Sequence, residues 1–304
     1  MKEPLVSVVI TSMGKEYLVN AIKSVASQTY PNIEIIVVVD QNLQFDHDIL
    51  KKVTVYSAAG AHNANVSRNI GVAKASGSYI ALMDDDDVWT TDKIALQVHA
   101  ALNHEKGQYY FSFGQTRFLK EGIVSDTTHP TIGIQHDQSI LDYFFDGSNG
   151  FIQTSSFFGN RDLFLKNKFD ESIIKHQDWD WLVNMERIPN VIIDFLPKVV
   201  TYYTVHKVGT SVGTKQRWKY TETWLKKHQN TMSNYAISNF YSKVILRSLL
   251  FDNELSFSEK NKEILRILKI ISLKYPLLFI KSVAKVLIYW VKNLQQNMAH
   301  NTNN

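Results

Sequence analysis

The chain contains no cysteine, which excludes a disulfide framework and any thiolate metal site. That absence fits a reducing cytosol. Long hydrophobic runs are missing too: no uninterrupted apolar stretch reaches the roughly 18 residues of a membrane span. Strong charge of either sign is absent. The formal net charge is +4 over 304 residues, too mild to argue for nucleic acid as a partner. There is no internal repeat and no low-complexity linker. What remains is an ordinary folded composition, 44% hydrophobic and 20% charged, in a length that suits one large domain or two moderate ones. The opening MKEPLVSVVITS carries an acid and a proline before a short apolar run. It reads as a first strand, not a signal peptide.

The most informative stretch is Tyr79 to Trp89, YIALMDDDDVW. Its first five residues form the short apolar run of a buried strand. Asp84, Asp85, Asp86 and Asp87 follow at once, and like charges side by side should end the strand there. Open α/β sheets place their ligands at the carboxyl ends of strands. Alternation along a strand would turn Asp84 and Asp86 one way with Asp85 between them. Two hard oxygen ligands so placed suit Mg²⁺ or Mn²⁺, which bridge carboxylates to substrate phosphates. The competing reading is a solvated acidic turn, with Asp87 or Thr91 capping the next helix.

The rest of the first half reads as alternating strands and helices. Leu5–Ile10 is a β-branched run, Tyr17–Gln28 carries helical spacing through Leu18, Ala21, Ile22 and Val25, and Ile33–Val39 is a second strand ending on Asp40. Ile49–Ser57 holds a short helix end and a third strand. Asn63–Ala75 is a helix with Gly77 as its terminator. Strand, helix, strand at this spacing predicts a parallel α/β sheet. Asp40 and the Asp84 cluster are then expected at the carboxyl ends of neighbouring strands, flanking a nucleotide crevice. Phe111–Leu119 and Phe151–Gly159 read as further strands.

The segments VSVVITSMGKEYLVNAIKSVASQTYPNIEIIVVVD and NVSRNIGVAKASGSYIALMDDDDVW resemble a family 2 glycosyltransferase of the A-type nucleotide-sugar fold, over residues 4 to about 93. The resemblance implies a Rossmann-like α/β fold and an inverting transfer from a nucleotide diphosphate sugar, UDP favoured, to a saccharide or lipid-linked saccharide hydroxyl in surface-polysaccharide assembly. It implies Asp40 at the nucleoside base, Thr11 (with Ser12 a weaker candidate) near base and ribose, and Arg68 near base or diphosphate. Arginine is a permanently charged fork suited to phosphate. Asp84 and Asp86 match the metal and donor motif, with Asp86 ahead of Asp84 as the direct ligand of Mn²⁺ or Mg²⁺; Asp85, also implied at the donor site, stands where many relatives have a small polar residue. Gln41, Asn42 and Leu43 depart from the family's acid-Gly-Ser pattern after Asp40.

In HQDWDWLVNM, Asp178 matches the family's general base, with Asp180 the runner-up. Such a base must take the proton from the attacking hydroxyl, whereas a helix N-terminal acid favoured by the macrodipole is the structural alternative. Two flanking tryptophans offer ring faces for sugars. His206 matches a histidine that touches the metal or the diphosphate. The implied layout is a donor half over 1–104, an acceptor half over 105–214, and a helical extension over 215–304.

In that extension Ile264–Leu273 is apolar and Pro276 interrupts it. At helical periodicity Lys281, Lys285 and Lys292 fall within about 40° of one another, opposite Ile280, Val283, Leu287, Trp290, Val291 and Leu294. Residues 277–296 thus read as a basic amphipathic helix lying in a membrane surface at the inner face of the cell membrane, or as a helix packed in an oligomer. Other activities fit less well. A sugar nucleotidyltransferase wants a Gly-rich, Arg-containing loop after the first strand, which TSMGKEY lacks. A non-catalytic binding module would have lost the metal pair or the base. A phosphatase would want a nucleophilic aspartate where Thr11 stands.

Overall fold

A computed structural model of the chain describes residues 3–43, 47–104, 108–206, 217–252, 254–271 and 274–301. The chain divides into two compact units, residues 1–140 with 150–210, and residues 141–149 with 211–304.

The first unit is an α/β fold around one mixed sheet. Strand β1 (Val6–Ser12) is buried along its whole length, as a β-branched run covered on both faces must be. Helix α1 (Leu18–Ala26) buries Leu18, Ala21, Ile22 and Val25, the predicted stripe. Strand β2 (Ile33–Val39), a 3₁₀ turn at Asp48–Lys52, β3 (Thr54–Ser57), α2 (Ala64–Lys74) and β4 (Tyr79–Asp84) follow. Strands β3, β2, β1 and β4 lie side by side in that order, all parallel. The chain therefore steps outward from β1 through β2 to β3, then crosses back to add β4 on the other side of β1. The gap beyond the carboxyl ends of β1 and β4 is the topological switch point, where such sheets bind ligands. Asp40 follows β2 and Asp84 ends β4, so β1 stands between them and the expectation of neighbouring strands is corrected.

Helix α2 starts at Asn63, whose side chain accepts the Asn65 N–H at 2.9 Å. It lies close on the sheet because Gly71 meets β1: a β-carbon there would stand 2.2 Å from Val9 Cγ1. The helix ends on Ala75 with extended backbone, so Gly77 does not terminate it. Gly77 instead lets the chain pass the start of β1, where a β-carbon would sit 2.6 Å from the Leu5 carbonyl.

Beyond β4 come β5 (Val88–Trp89), α3 (Lys93–Ala101), β6 (Tyr109–Lys120) and β7 (Ile123–His129). Helix α4 (Ile140–Phe145) leads into β8 (Phe158–Asn160), α5 (Arg161–Lys166), α6 (Gln177–Met185) and β9 (Val191–Thr204). The sheet continues from β4 through β8, β6 and β9 to β5, with antiparallel pairs at β4–β8, β8–β6 and β9–β5. The expected strand over Phe151–Gly159 is only its last part. Thr154–Ser156 forms a 3₁₀ turn instead, because Ser155 and Ser156 spend their groups on buried polar bonds. Lys93 is fully buried, its ammonium 4.1 Å from the Trp89 ring and 2.5 Å from Gln97 Oε1; burial pushes its pKa far below the usual lysine value.

The second unit is helical: α7 (Trp218–His228), α8 (Asn234–Phe240), a π-turn at Tyr241–Ile245, α9 (Leu246–Leu250), α10 (Phe257–Ile270) and α11 (Pro276–Asn301). Leu141–Asn149 packs with it, Phe145 against Phe240 with ring centroids 4.7 Å apart. Arg266 grips both oxygens of Glu222 at 2.7 and 2.8 Å. Pro276 does not break a helix but opens α11, where its missing N–H costs nothing. The predicted faces of α11 need correcting. Lys285 donates to the Ser242 carbonyl at 3.2 Å and Trp290 Nε1 donates to Asn261 at 2.9 Å, so both face α9–α10 and the π-turn. The open face carries Leu277, Ile280, Leu287, Ile288 and Val291 with Lys281. The side chains of Lys292 and Leu294, and Leu273 as a whole, lie outside the described residues. Among the described residues no helix is long and apolar enough to cross a membrane.

Candidate active site

Thr11 and Asp84 are register partners across β1 and β4, which sets them side by side at the switch point. Their side chains approach to 3.5 Å. Arg68, from the middle of α2, reaches over the end of β1 and donates from Nη2 to Asp84 Oδ1 at 2.9 Å. Its other amino group lies 3.3 Å from Asn65 Oδ1 and 3.4 Å from Gln177 Oε1, while its plane rests 5.3 Å from the centroid of Phe169. A buried guanidinium so held is a rigid donor array.

Strand alternation does not carry through the acidic run. β4 ends at Asp84, and a turn closed by Asp87 N–H to the Asp84 carbonyl at 3.2 Å takes over. Each acid therefore has its own partner. Asp85 turns inward and accepts the Met13 N–H at 3.3 Å. Its carboxyl is pushed up to about 7: burial is the main cause, the charges of Asp86 and Asp84 add to it, and bonds from Ser12 and Met13 oppose it. Asp86 Oδ2 lies 2.6 Å from His206 Nε2. Burial and the Asp84 charge raise the Asp86 carboxyl, and His206 works against them. Asp87 is 1% exposed and caps no helix. It accepts from Gln153 Nε2 at 2.7 Å, Ser155 Oγ at 2.6 Å and the Thr204 N–H at 2.9 Å. Thr204 Oγ1 in turn donates to the Asp86 carbonyl. Asp87 thus ties the acidic turn to the end of β9 and so places His206 beside Asp86.

The donor atoms here are of the kinds that a divalent cation takes. Asp86 and His206 present an oxygen and a nitrogen together, and Asp84 stands next to them. No group of three or more His, Cys, Asp or Glu side chains among the described residues could hold an ion by itself. Two protein ligands with the remaining positions left to water and phosphate oxygens is the habit of Mg²⁺ and Mn²⁺.

Asp178, in the first turn of α6, is brought to the same crevice by α2. Asn65 and Asn69 donate to the backbone carbonyls of Asp170 and Phe169 at 2.7 and 2.9 Å, and Asn63 takes a bond from Gln177 at 3.1 Å. The asparagines of NANVSRN therefore dock the segment before α6 and bring Asp178 within electrostatic reach of Arg68 and Asp84. Burial pushes the Asp178 carboxyl above its ordinary value; the Trp179 N–H and Arg68 oppose this and Asp84 adds to it. Asp180 is 1% exposed and accepts from Asn184 at 2.9 Å. Trp181 is no sugar platform. It is 1% exposed, stacks among Phe164 and Phe169 at 4.8 and 5.4 Å, and donates to the Asn167 carbonyl. Trp179 stacks on His176 at 4.7 Å.

Asp40 is 5% exposed and accepts the His62 N–H at Oδ1, 2.8 Å away. Sequence reasoning missed Asp87, His62, Tyr17 and Tyr203. Burial first, then the charges of Asp87, Asp86, Asp84 and Asp178, push the Tyr203 hydroxyl up to about 12. Tyr17 rises to about 12 through burial and the charges of Asp85 and Asp86. Both phenols are within electrostatic reach of the acids.

The chain is similar to known proteins in sequence and in fold. The family model described as glycosyl transferase family 2 matches residues 7–167, more than half of the chain. The amylovoran biosynthesis glycosyltransferase AmsB of Erwinia amylovora is 26% identical over 238 residues, covering 74% of this chain and 78% of that protein. The UDP-Glc:alpha-D-GlcNAc-diphosphoundecaprenol beta-1,3-glucosyltransferase WfaP of Escherichia coli is 32% identical over 127 residues, covering 40% of this chain and 49% of that one. Among solved structures, S. aureus TarS 1-349 in complex with UDP has the same fold, with a TM-score of 0.61 at 13% identity, covering 94% of this chain and 89% of that one.

Proposed function

Because the chain belongs to glycosyl transferase family 2, we propose that it transfers a sugar with inversion from a UDP-sugar to a hydroxyl of a saccharide or lipid-linked saccharide in surface-polysaccharide assembly. The observation that carries this reading is the convergence of Thr11, Arg68, Asp84 and Asp178 on one crevice at the switch point. WfaP is named for UDP-Glc and a diphosphoundecaprenol-linked acceptor, which favours that donor base and that class of acceptor.

Asp178 takes the proton from the acceptor hydroxyl as its oxygen attacks the anomeric carbon. The bond to the diphosphate breaks on the opposite face, and the leaving diphosphate carries the electron pair away. The raised Asp178 carboxyl is a better proton acceptor than an ordinary one. Arg68 offers fixed positive charge near the developing anion. Asp86 and His206, with Asp84 beside them, would hold Mn²⁺ or Mg²⁺, which supplies Lewis-acid stabilisation of the leaving diphosphate.

The acceptor reading extends to α11. Its open apolar face with Lys281 suits an anionic lipid surface, where each lysine is worth roughly 1 kcal/mol. The working location is then the cytoplasmic face of a membrane. A panel of nucleotide sugars with Mn²⁺ tests the activity: slow hydrolysis of a UDP-sugar, lost in Asp178→Asn, supports it, and hydrolysis of none of them sinks it.

A further inference from the structure

The ring faces that Trp181 cannot offer lie on β6, β7 and β9. Thr201 and Tyr203 stand two residues apart on β9 and so share a face of the sheet. Thr201 Oγ1 donates to the Ser155 carbonyl at 3.1 Å, and the Ser155 hydroxyl donates to Asp87, so this face looks toward the acidic turn. Phe118 is the register partner of Tyr203 across β6 and β9, with ring centroids 6.0 Å apart. Phe151 and His129 continue the row, 5.8 and 5.3 Å from Phe118. Phe151 comes from the segment whose Gln153 also bonds Asp87. All four side chains are half-buried. Their planes turn against one another, by 70° between Phe118 and Tyr203 and 66° between Phe118 and Phe151, which makes a stepped wall and not a closed stack. One end of the wall lies at the reaction centre, because Tyr203 is within electrostatic reach of Asp178 and of Asp84, Asp86 and Asp87.

We infer that Tyr203, Phe118, Phe151 and His129 bind the acceptor, and that they fit a saccharide of at least two rings. This rests on the transfer proposed above. A pyranose carries C–H bonds on its ring face and hydroxyls at its rim, so it packs on aromatic faces and hydrogen-bonds sideways. The wall offers both kinds of contact. Phe118 and Phe151 are wholly apolar, while the Tyr203 hydroxyl and the His129 imidazole can donate or accept. A hydrocarbon chain on the same wall would strip water from those polar groups without replacing it. That argues for the sugar part of an acceptor and against a lipid tail. The wall runs from Tyr203 past Phe118 to Phe151, farther than one sugar reaches. The attacking sugar then sits at Tyr203 beside Asp178, and the sugar behind it lies on Phe118 and Phe151.

The test is saturation-transfer NMR on the full chain with UDP and Mn²⁺, irradiating aromatic protons. The probes are cellobiose, lactose, chitobiose and sorbitol, the last an open-chain polyol with no ring face. At least one disaccharide should take up saturation, and sorbitol none. Phe151→Leu and Tyr203→Leu keep an apolar side chain but lose a ring, and each should weaken that disaccharide about fivefold, the worth of one ring contact. Phe151→Tyr and Tyr203→Phe keep the ring faces and should bind nearly as wild type. UDP affinity by calorimetry reports whether each variant is folded. The acceptor wall is overturned if no disaccharide takes up saturation, if sorbitol takes up as much, or if folded Leu variants bind the disaccharide as wild type does. A wild-type chain that binds no UDP overturns the transfer reading itself.

Discussion

Asp86 and His206 are 120 residues apart in the chain and 2.6 Å apart in space. The contact exists because Asp87, one residue on, holds the Thr204 N–H. His206 thus belongs to the site by virtue of where β9 ends.

Nucleotide binding should depend on a divalent cation. The carboxylates of Asp84 and Asp86 repel a diphosphate unless a cation lies between. UDP affinity measured with Mn²⁺ and again with chelator should differ by at least tenfold, and His206→Ala should shift the Mn²⁺ requirement to higher concentration. Equal affinity in both conditions would remove the cation from the mechanism.

Asp178→Asn should lower turnover by about 10²–10⁴-fold, the usual worth of a positioned base, while UDP affinity stays within a few-fold of wild type. Asp180→Asn should act through stability instead, because its carboxylate is buried against Asn184. If Asp180→Asn abolishes transfer in a folded protein and Asp178→Asn does not, the two roles are exchanged.

Asp87→Ala removes the acceptor for three donors, two of them on buried side chains. Each orphaned buried group costs about 1–3 kcal/mol, so denaturant unfolding should show a loss of about 3 kcal/mol. A variant as stable as wild type would mean that the turn is held by other contacts.

The helical unit should carry an acid-sensitive contact. Burial pushes the Glu222 carboxyl up, but bonds from Arg266 and Tyr241 outweigh it and leave the folded pKa below the ordinary value. A depressed folded pKa contributes stability that is present above the unfolded value, about 4.3. That contribution is lost as pH falls through the folded pKa. Unfolding titrations from neutral pH downward should therefore show a loss below about pH 4.3 that is smaller in Glu222→Gln. An identical acid limb in both proteins would count against it.

Truncation before Pro276 should release the protein from anionic vesicles at low salt and spare donor hydrolysis. Co-sedimentation measures it. Full-length protein that ignores such vesicles would leave the open face of α11 to a second copy of the chain.

Local chemistry alone determined a good deal of this molecule. β-Branched runs wrote β1, β2 and β4, the three- and four-residue spacing of Leu18, Ala21, Ile22 and Val25 wrote α1, and four successive acids fixed the end of β4. Those signals are carried by neighbours in the chain, so they survive without a fold. The tertiary structure decided everything that depends on which distant backbones meet. It set β1 between Asp40 and Asp84, gave each of the four acids a different partner, and buried Trp181 in an aromatic cluster. It also turned Lys285 and Trp290 of α11 inward. A helical wheel reports only that two faces differ; which face finds a partner is fixed by the elements that pack against it. Likewise Asp178 comes within electrostatic reach of Arg68 and Asp84 because Asn65 and Asn69 on α2 bond the loop before α6, and Asn63 at the start of α2 bonds Gln177 at the start of α6, some hundred residues downstream, a pairing that no periodicity in the sequence encodes.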